Sequence, residues 1–135
     1  MYEALLNTIR EKLLEETFTA GDIPEYLQLF CEIGNAEEDM QEEVEGWNKT
    51  MQVVVTDQCE YYIQISDGTF TLNEGKADAA DFTLTMKPDD AARILTGQKD
   101  PKLAYFTGAL KIDGNINDAI RIESMIEIIL DELED

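Results

Sequence analysis

Carboxylates make up most of the chemically capable side chains in this 135-residue chain, and no histidine accompanies them. Every triad, dyad or zinc site that depends on imidazole is thereby excluded. Ser66 precedes a turn, Ser124 lies in the middle of a helical pattern, and neither has the glycine-flanked setting of a nucleophile elbow. Both read as structural. Cys31 and Cys59 are far apart with no CxxC spacing, and each sits in an apolar pattern where a thiol acts as a small hydrophobe. The acidic group Glu37, Glu38, Asp39, Glu42 and Glu43 falls on one short polar helix and reads as a solvated face. Asp113 to Asp118 resembles the front of a calcium loop, but Asp118 replaces the sixth-position glycine and Ser124 the twelfth-position glutamate. A turn with a helix cap is expected there instead. With no glycine-rich phosphate loop either, the sequence predicts no catalytic residue, no metal and no cofactor.

Charge narrows the partners. Thirty acidic and ten basic side chains give a formal charge of −20, which repels nucleic acid and anionic lipid surfaces at long range. A basic protein partner is compatible with it. Residues 87 to 111 run the other way, with Lys87, Arg93, Lys99, Lys102 and Lys111 against Asp89, Asp90 and Asp100. Lys99 and Lys102 are therefore candidate contacts for an acidic head group, the alternative being ordinary helix-end electrostatics. No apolar run approaches the roughly 18 residues of a membrane span. Met1-Tyr2-Glu3-Ala4 lacks the charge-then-apolar order of a leader. The expectation is a cytoplasmic protein without stable membrane insertion.

The elements that would position any site follow from apolar spacing. Tyr2, Leu5, Leu6, Ile9, Leu13 and Leu14 predict a helix over 2–16. Asp22 with Glu25 predicts a capping box for a second helix that Gly34 ends, and Asn35 with Glu38 a third. After Gly46 the period falls to two. Residues 47–55, 61–65, 70–72 and 82–86 predict four strands in an antiparallel meander, with Asp67-Gly68 as a hairpin turn. Two short helices ended by Gly97 and Gly108 follow, then a fifth strand at Leu110 and Ile112. The final helix, about 116–133, has an apolar stripe too wide for one seam, so it should touch more than one element and cover any cavity as a lid. One α+β domain over 1–135 is the reading: a helical part to residue 43, a meander over 46–86, and helices with the fifth strand over 88–135.

The ordered stretches Asp81-Phe82-Thr83-Leu84-Thr85-Met86, Ala91 to Gly97, Asp100-Pro101 to Gly108, and Leu110-Lys111-Ile112-Asp113-Gly114 resemble the type-two sterol carrier protein domain. The resemblance is specific over residues 81–114; residues 1–43 carry no motif of that family. It implies a five-stranded, mainly antiparallel sheet with helices on one face. It also implies an apolar cavity for a fatty acid, acyl thioester, sterol or phospholipid. Carried over by position, the wall is Phe82, Leu84 and Met86 from the fourth strand, Ile94, Leu103 and Phe106 from the middle helices, and Ile126 and Leu130 from the last. The implied function is non-catalytic carriage of an apolar ligand, or alternatively an accessory subunit presenting an apolar substrate to an enzyme. The chain departs from eukaryotic carriers in its acidity and in ending Glu132-Leu133-Glu134-Asp135, with no peroxisomal address.

Overall fold

A computed structural model describes residues 2–134; Met1 and Asp135, which fall in the two terminal stretches weighed above, lie outside the described residues. Helices α1 (Glu3–Leu14), α2 (Ile23–Ala36) and α3 (Glu38–Glu43) precede strands β1 (Lys49–Val55), β2 (Cys59–Ser66), β3 (Thr69–Glu74) and β4 (Phe82–Met86). Then come α4 (Pro88–Leu95), α5 (Pro101–Thr107), β5 (Leu110–Gly114) and α6 (Ile116–Glu134). The strands form one sheet in the order β3-β2-β1-β4-β5.

Alternation decides which face the helices cover. Met51, Val53, Ile63, Ile65, Phe82 and Leu84 point to one side and are buried there, whereas Gln64, Thr71 and Lys111 point to the other and are exposed. Asp67 and Gly68 both have positive φ, 51° and 80°, the two-residue turn whose twist matches paired strands, so β2 and β3 form a tight hairpin.

The meander prediction holds for β1, β2 and β3 and fails at β4. That strand pairs parallel to β1 instead of antiparallel to β3, while the other three pairings are antiparallel. The chain between β3 and β4 crosses the solvent face of the sheet, and Gln52 secures it. This side chain is 3% exposed. Its amide nitrogen donates to the Gly75 carbonyl at 2.9 Å and to the Tyr61 carbonyl at 3.2 Å, and its oxygen accepts from the Ala77 N–H at 2.9 Å. Asp81 then joins Thr50 through two bonds of 2.9 and 2.7 Å, fixing the register of β4 on β1.

Two predicted helix boundaries also move. Gly34 lies inside α2 rather than ending it, because a Cβ there would stand 2.7 Å from the Phe70 ring; the glycine lets α2 approach β3. Asn35 caps nothing: its amide exchanges bonds of 2.7 and 3.0 Å with the Phe70 backbone. The capping box sits one step earlier than expected. Asp22 accepts from the Thr19 N–H at 2.9 Å as the box's third-position partner, and pairs with Lys12.

Helix α6 is tied at both ends. The Arg10 guanidinium donates to the carbonyls of Leu133 and Glu132 at 2.8 and 3.0 Å, satisfying acceptors that a helix end leaves open. At the other end Asn115 caps the first turn through the Asn117 N–H at 2.9 Å. One turn on, Asp118 accepts from the Trp47 indole at 3.0 Å and lies 3.2 Å from the Lys49 ammonium. Burial pushes this carboxyl up, but the Trp47 hydrogen bond, Lys49 and Arg121 outweigh it and hold it below the ordinary value. Arg121 stacks over the Trp47 ring at 5.5 Å. The stretch that resembles a calcium loop is thus a turn and a cap, and among the described residues no cluster of three or more acidic, cysteine or histidine side chains could hold a metal.

Candidate functional site

The C-terminal half of the sheet, β4 and β5, carries a void. Pro88 starts α4 after the extended Lys87, and α4 buries Ala91, Ile94 and Leu95. Asp100 caps α5 by accepting the Lys102 N–H at 2.9 Å, and Gly108, at φ 86°, ends it in the left-handed conformation. The one buried residue of α5 is Ala104. So short a helix, resting on a side chain so small, fills little space above the sheet.

The cavity has a volume of about 280 Å³. Its floor is Leu84 and Met86 of β4 with Leu110 and Ile112 of β5, one wall is Ile94 and Leu95, and the rest comes from α5 and the first half of α6. Phe106 is 82% exposed and Ile120 53%, yet both line the cavity, so they form its mouth. The charged groups in the lining are Lys102 and Glu123, whose Nζ and Oε1 lie 3.4 Å apart across the α5–α6 seam.

Of the eight wall residues named from the sequence, Leu84, Met86, Ile94, Phe106 and Ile126 come together around this cavity. Phe82 does not: it is 1% exposed and packs 6.2 Å from the Trp47 ring in the main core. Leu103 points to solvent at 62% exposure, because α5 turns it away while presenting Phe106. Leu130 lies one turn beyond the cavity, where Gly97 makes room for it; a Cβ on that glycine would stand 2.7 Å from Leu130 Cδ1. Lys99 is ion-paired with Asp90 at 2.8 Å, and Lys102 faces Glu123 as above. Sequence reasoning missed Ile112, Ile116 and Ile120. The signal for the last two was present in the over-wide stripe of α6.

That stripe does two jobs. Ile122 and Ile126 face the void, while Met125 and Ile129 are fully buried outside its lining. Tied at both ends, α6 lies over the cavity and supplies Ile116, Ala119, Ile120, Ile122 and Ile126 to its lining. Burial followed by Glu32 pushes the Cys31 thiol up to about 12, and burial with Glu74 raises Cys59. Neither is a thiolate nucleophile at neutral pH.

A family model described as the SCP-2 sterol transfer family matches residues 27–127. The chain belongs to this family. The match begins inside α2, well before the motif-bearing stretch. Sterol carrier protein 2 of Bos taurus is 29% identical over 65 residues, which cover 48% of this chain and 12% of the bovine protein. Among solved structures, "UbiJ-SCP2 Ubiquinone synthesis protein" superposes with a TM-score of 0.64 at 13% identity, covering 76% of this chain and 90% of that one. A crystal structure of sterol carrier protein 2 gives 0.63 at 16% identity, covering 78% and 93%. At such identities the likeness is one of fold. Among the described residues no helix is long and apolar enough to cross a membrane.

Proposed function

We propose that the protein binds and carries a single-chain apolar ligand in the cavity beneath α5, without transforming it. The observation that carries this reading is the void itself, apolar on every side except at the Lys102–Glu123 pair. An engineered cavity of about 150 Å³ takes up benzene, so 280 Å³ takes roughly two such groups, or roughly a dozen carbons. That suits one alkyl chain; a four-ring sterol would need the walls to part. Burying roughly ten methylenes at about 0.8 kcal/mol each gives about 8 kcal/mol before the cost of ordering the chain, which is micromolar binding or weaker. The wall residues of this reading are Leu84, Met86, Ile94, Phe106 and Ile126.

Native mass spectrometry of protein purified without detergent, paired with uptake of an environment-sensitive fatty acid probe, tests the proposal. Bound lipid with saturable uptake is the expected result. Bare protein that takes up no probe overturns it.

A second reading is favoured by Leu103, 62% exposed and outside the cavity lining, which extends the exposed apolar rim of Phe106, Ile116 and Ile120 past the cavity mouth. It makes the protein an accessory subunit that presents its ligand to an enzyme, its acidic surface meeting a basic partner; the ubiquinone-synthesis neighbour in fold agrees with this in kind. Pull-down at increasing salt separates the two, since a charge-docked partner is released as salt rises.

A further inference from the structure

Beside the cavity lies a second depression, of about 320 Å³ and open to solvent, between the α4–α5 connection and the middle of α6. The two share Ile94, Pro101, Lys102, Glu123 and Ile126, so they meet across a single threshold. Three of those residues are apolar and the other two form the ion pair across the α5–α6 seam. Past the threshold charge is added to hydrocarbon: Lys99, Asp100 and Glu127 join Lys102 and Glu123 in the lining, beside Gly97 and Leu130.

We propose that this depression seats the polar end of the ligand whose chain fills the cavity, and that this end is zwitterionic rather than a bare carboxylate. The inference rests on the reading of the cavity as the seat of an alkyl chain. Three carboxylates face two ammonium groups here, and each ammonium already has an acidic partner, Lys99 with Asp90 at 2.8 Å and Lys102 with Glu123 at 3.4 Å. The Asp100 carboxylate accepts the Lys102 N–H. Glu127 has no hydrogen-bond or ion-pair partner among the described residues. A lone carboxylate would have to compete for a paired lysine within a protein of charge −20. A head group with both signs meets no such conflict: its anion shares a lysine while its cation faces Glu127. The basic stretch read from the sequence as an attractor of acidic head groups thereby becomes half of a two-sign site.

The test displaces the bound fatty acid probe with decanoic acid, decanol and decylphosphocholine, all below their aggregation concentrations. Decylphosphocholine is expected to bind tightest and decanoic acid weakest, with a spread of roughly three- to five-fold, the scale of solvent-exposed charge pairs. Glu127→Lys should reverse the order of the two charged ligands, while Glu74→Lys, the same charge change on the opposite edge strand, should leave it alone. Equal affinities for all three, or an order that Glu127→Lys does not alter, overturns the two-sign seat while decanol binding upholds the cavity. If neither the probe nor decanol binds, the cavity reading fails and the head-group seat fails with it.

Discussion

Ile126 and Ile129 stand three residues apart on α6, both nearly or fully buried, and only Ile126 faces the cavity. Truncating each to alanine removes the same three carbons from different surroundings. Isoleucine-to-alanine changes in packed cores cost about 2–5 kcal/mol, the higher values arising where a new void opens. Ile129, enclosed on all sides, should lose about 4 kcal/mol. Ile126 already lacks neighbours on one side and has fewer contacts to forfeit, so about 2 kcal/mol is expected. With a urea dependence of about 1.5 kcal/mol per molar, the midpoints should fall by roughly 2.7 M and roughly 1.3 M respectively. Binding should separate the variants in the opposite sense. Ile126→Ala deepens the cavity by about the three carbons removed and should shift the preferred alcohol in a chain-length series toward longer members by roughly two to three carbons, while Ile129→Ala leaves the preference unchanged. Urea unfolding and probe displacement on the same preparations decide the matter. Equal stability losses with an identical chain-length profile would refute the reasoning, since both side chains would then lie in solid core.

Gly34→Ala places a methyl group 2.7 Å from the Phe70 ring, so overpacking of about 1–3 kcal/mol should exceed the gain of up to about 1 kcal/mol in helix propensity, and urea melts should show net destabilisation. Asp118 is held below the ordinary carboxyl range in the folded state, so its contribution is fully present above the unfolded value and is lost as pH falls through the folded one. Urea midpoints followed from neutral pH downward should decline along that acid limb, and Asp118→Asn, though less stable at neutral pH, should decline less. Phe106→Ser and Leu103→Ser change two exposed side chains and should each shift stability by no more than about 0.5 kcal/mol. Probe titration should nonetheless show a several-fold weakening for the first and none for the second, because only Phe106 lines the cavity.

Most elements were legible because apolar spacing reports directly on which side chains share a face. The same spacing says nothing about which strand lies beside which. The alternation of Phe82, Leu84 and Met86 was read correctly as a strand with one buried face, yet its neighbour was misassigned, since a connection of a few residues after β3 looks like another hairpin. One clue was Gln52, a large polar residue on a strand at the centre of the sheet, whose amide had to meet buried backbone groups from somewhere. Gly34 misled for a related reason: glycine ends helices through its backbone freedom and also permits close approach by lacking a side chain, and only the facing Phe70 tells which is at work. At the site, family position carried Leu84, Met86, Ile94, Phe106 and Ile126 to the void. It failed at Leu103 because adjacent residues on a two-turn helix point about 100° apart, and at Leu130 because the cavity ends one turn short.

The crossover secured by Gln52 bears on how the molecule assembles. Strands β1 to β3 are joined by turns of two or three residues and can pair as soon as they are made, whereas β4 finds β1 only after the chain has passed over the sheet, a contact of much longer range. Every cavity-lining residue lies in β4 or beyond it. The cavity-bearing half is therefore expected to form after the local hairpins, on the template they supply. In a strained variant the cavity should be lost while the β1–β3 hairpins still resist exchange with solvent, which hydrogen exchange reads directly.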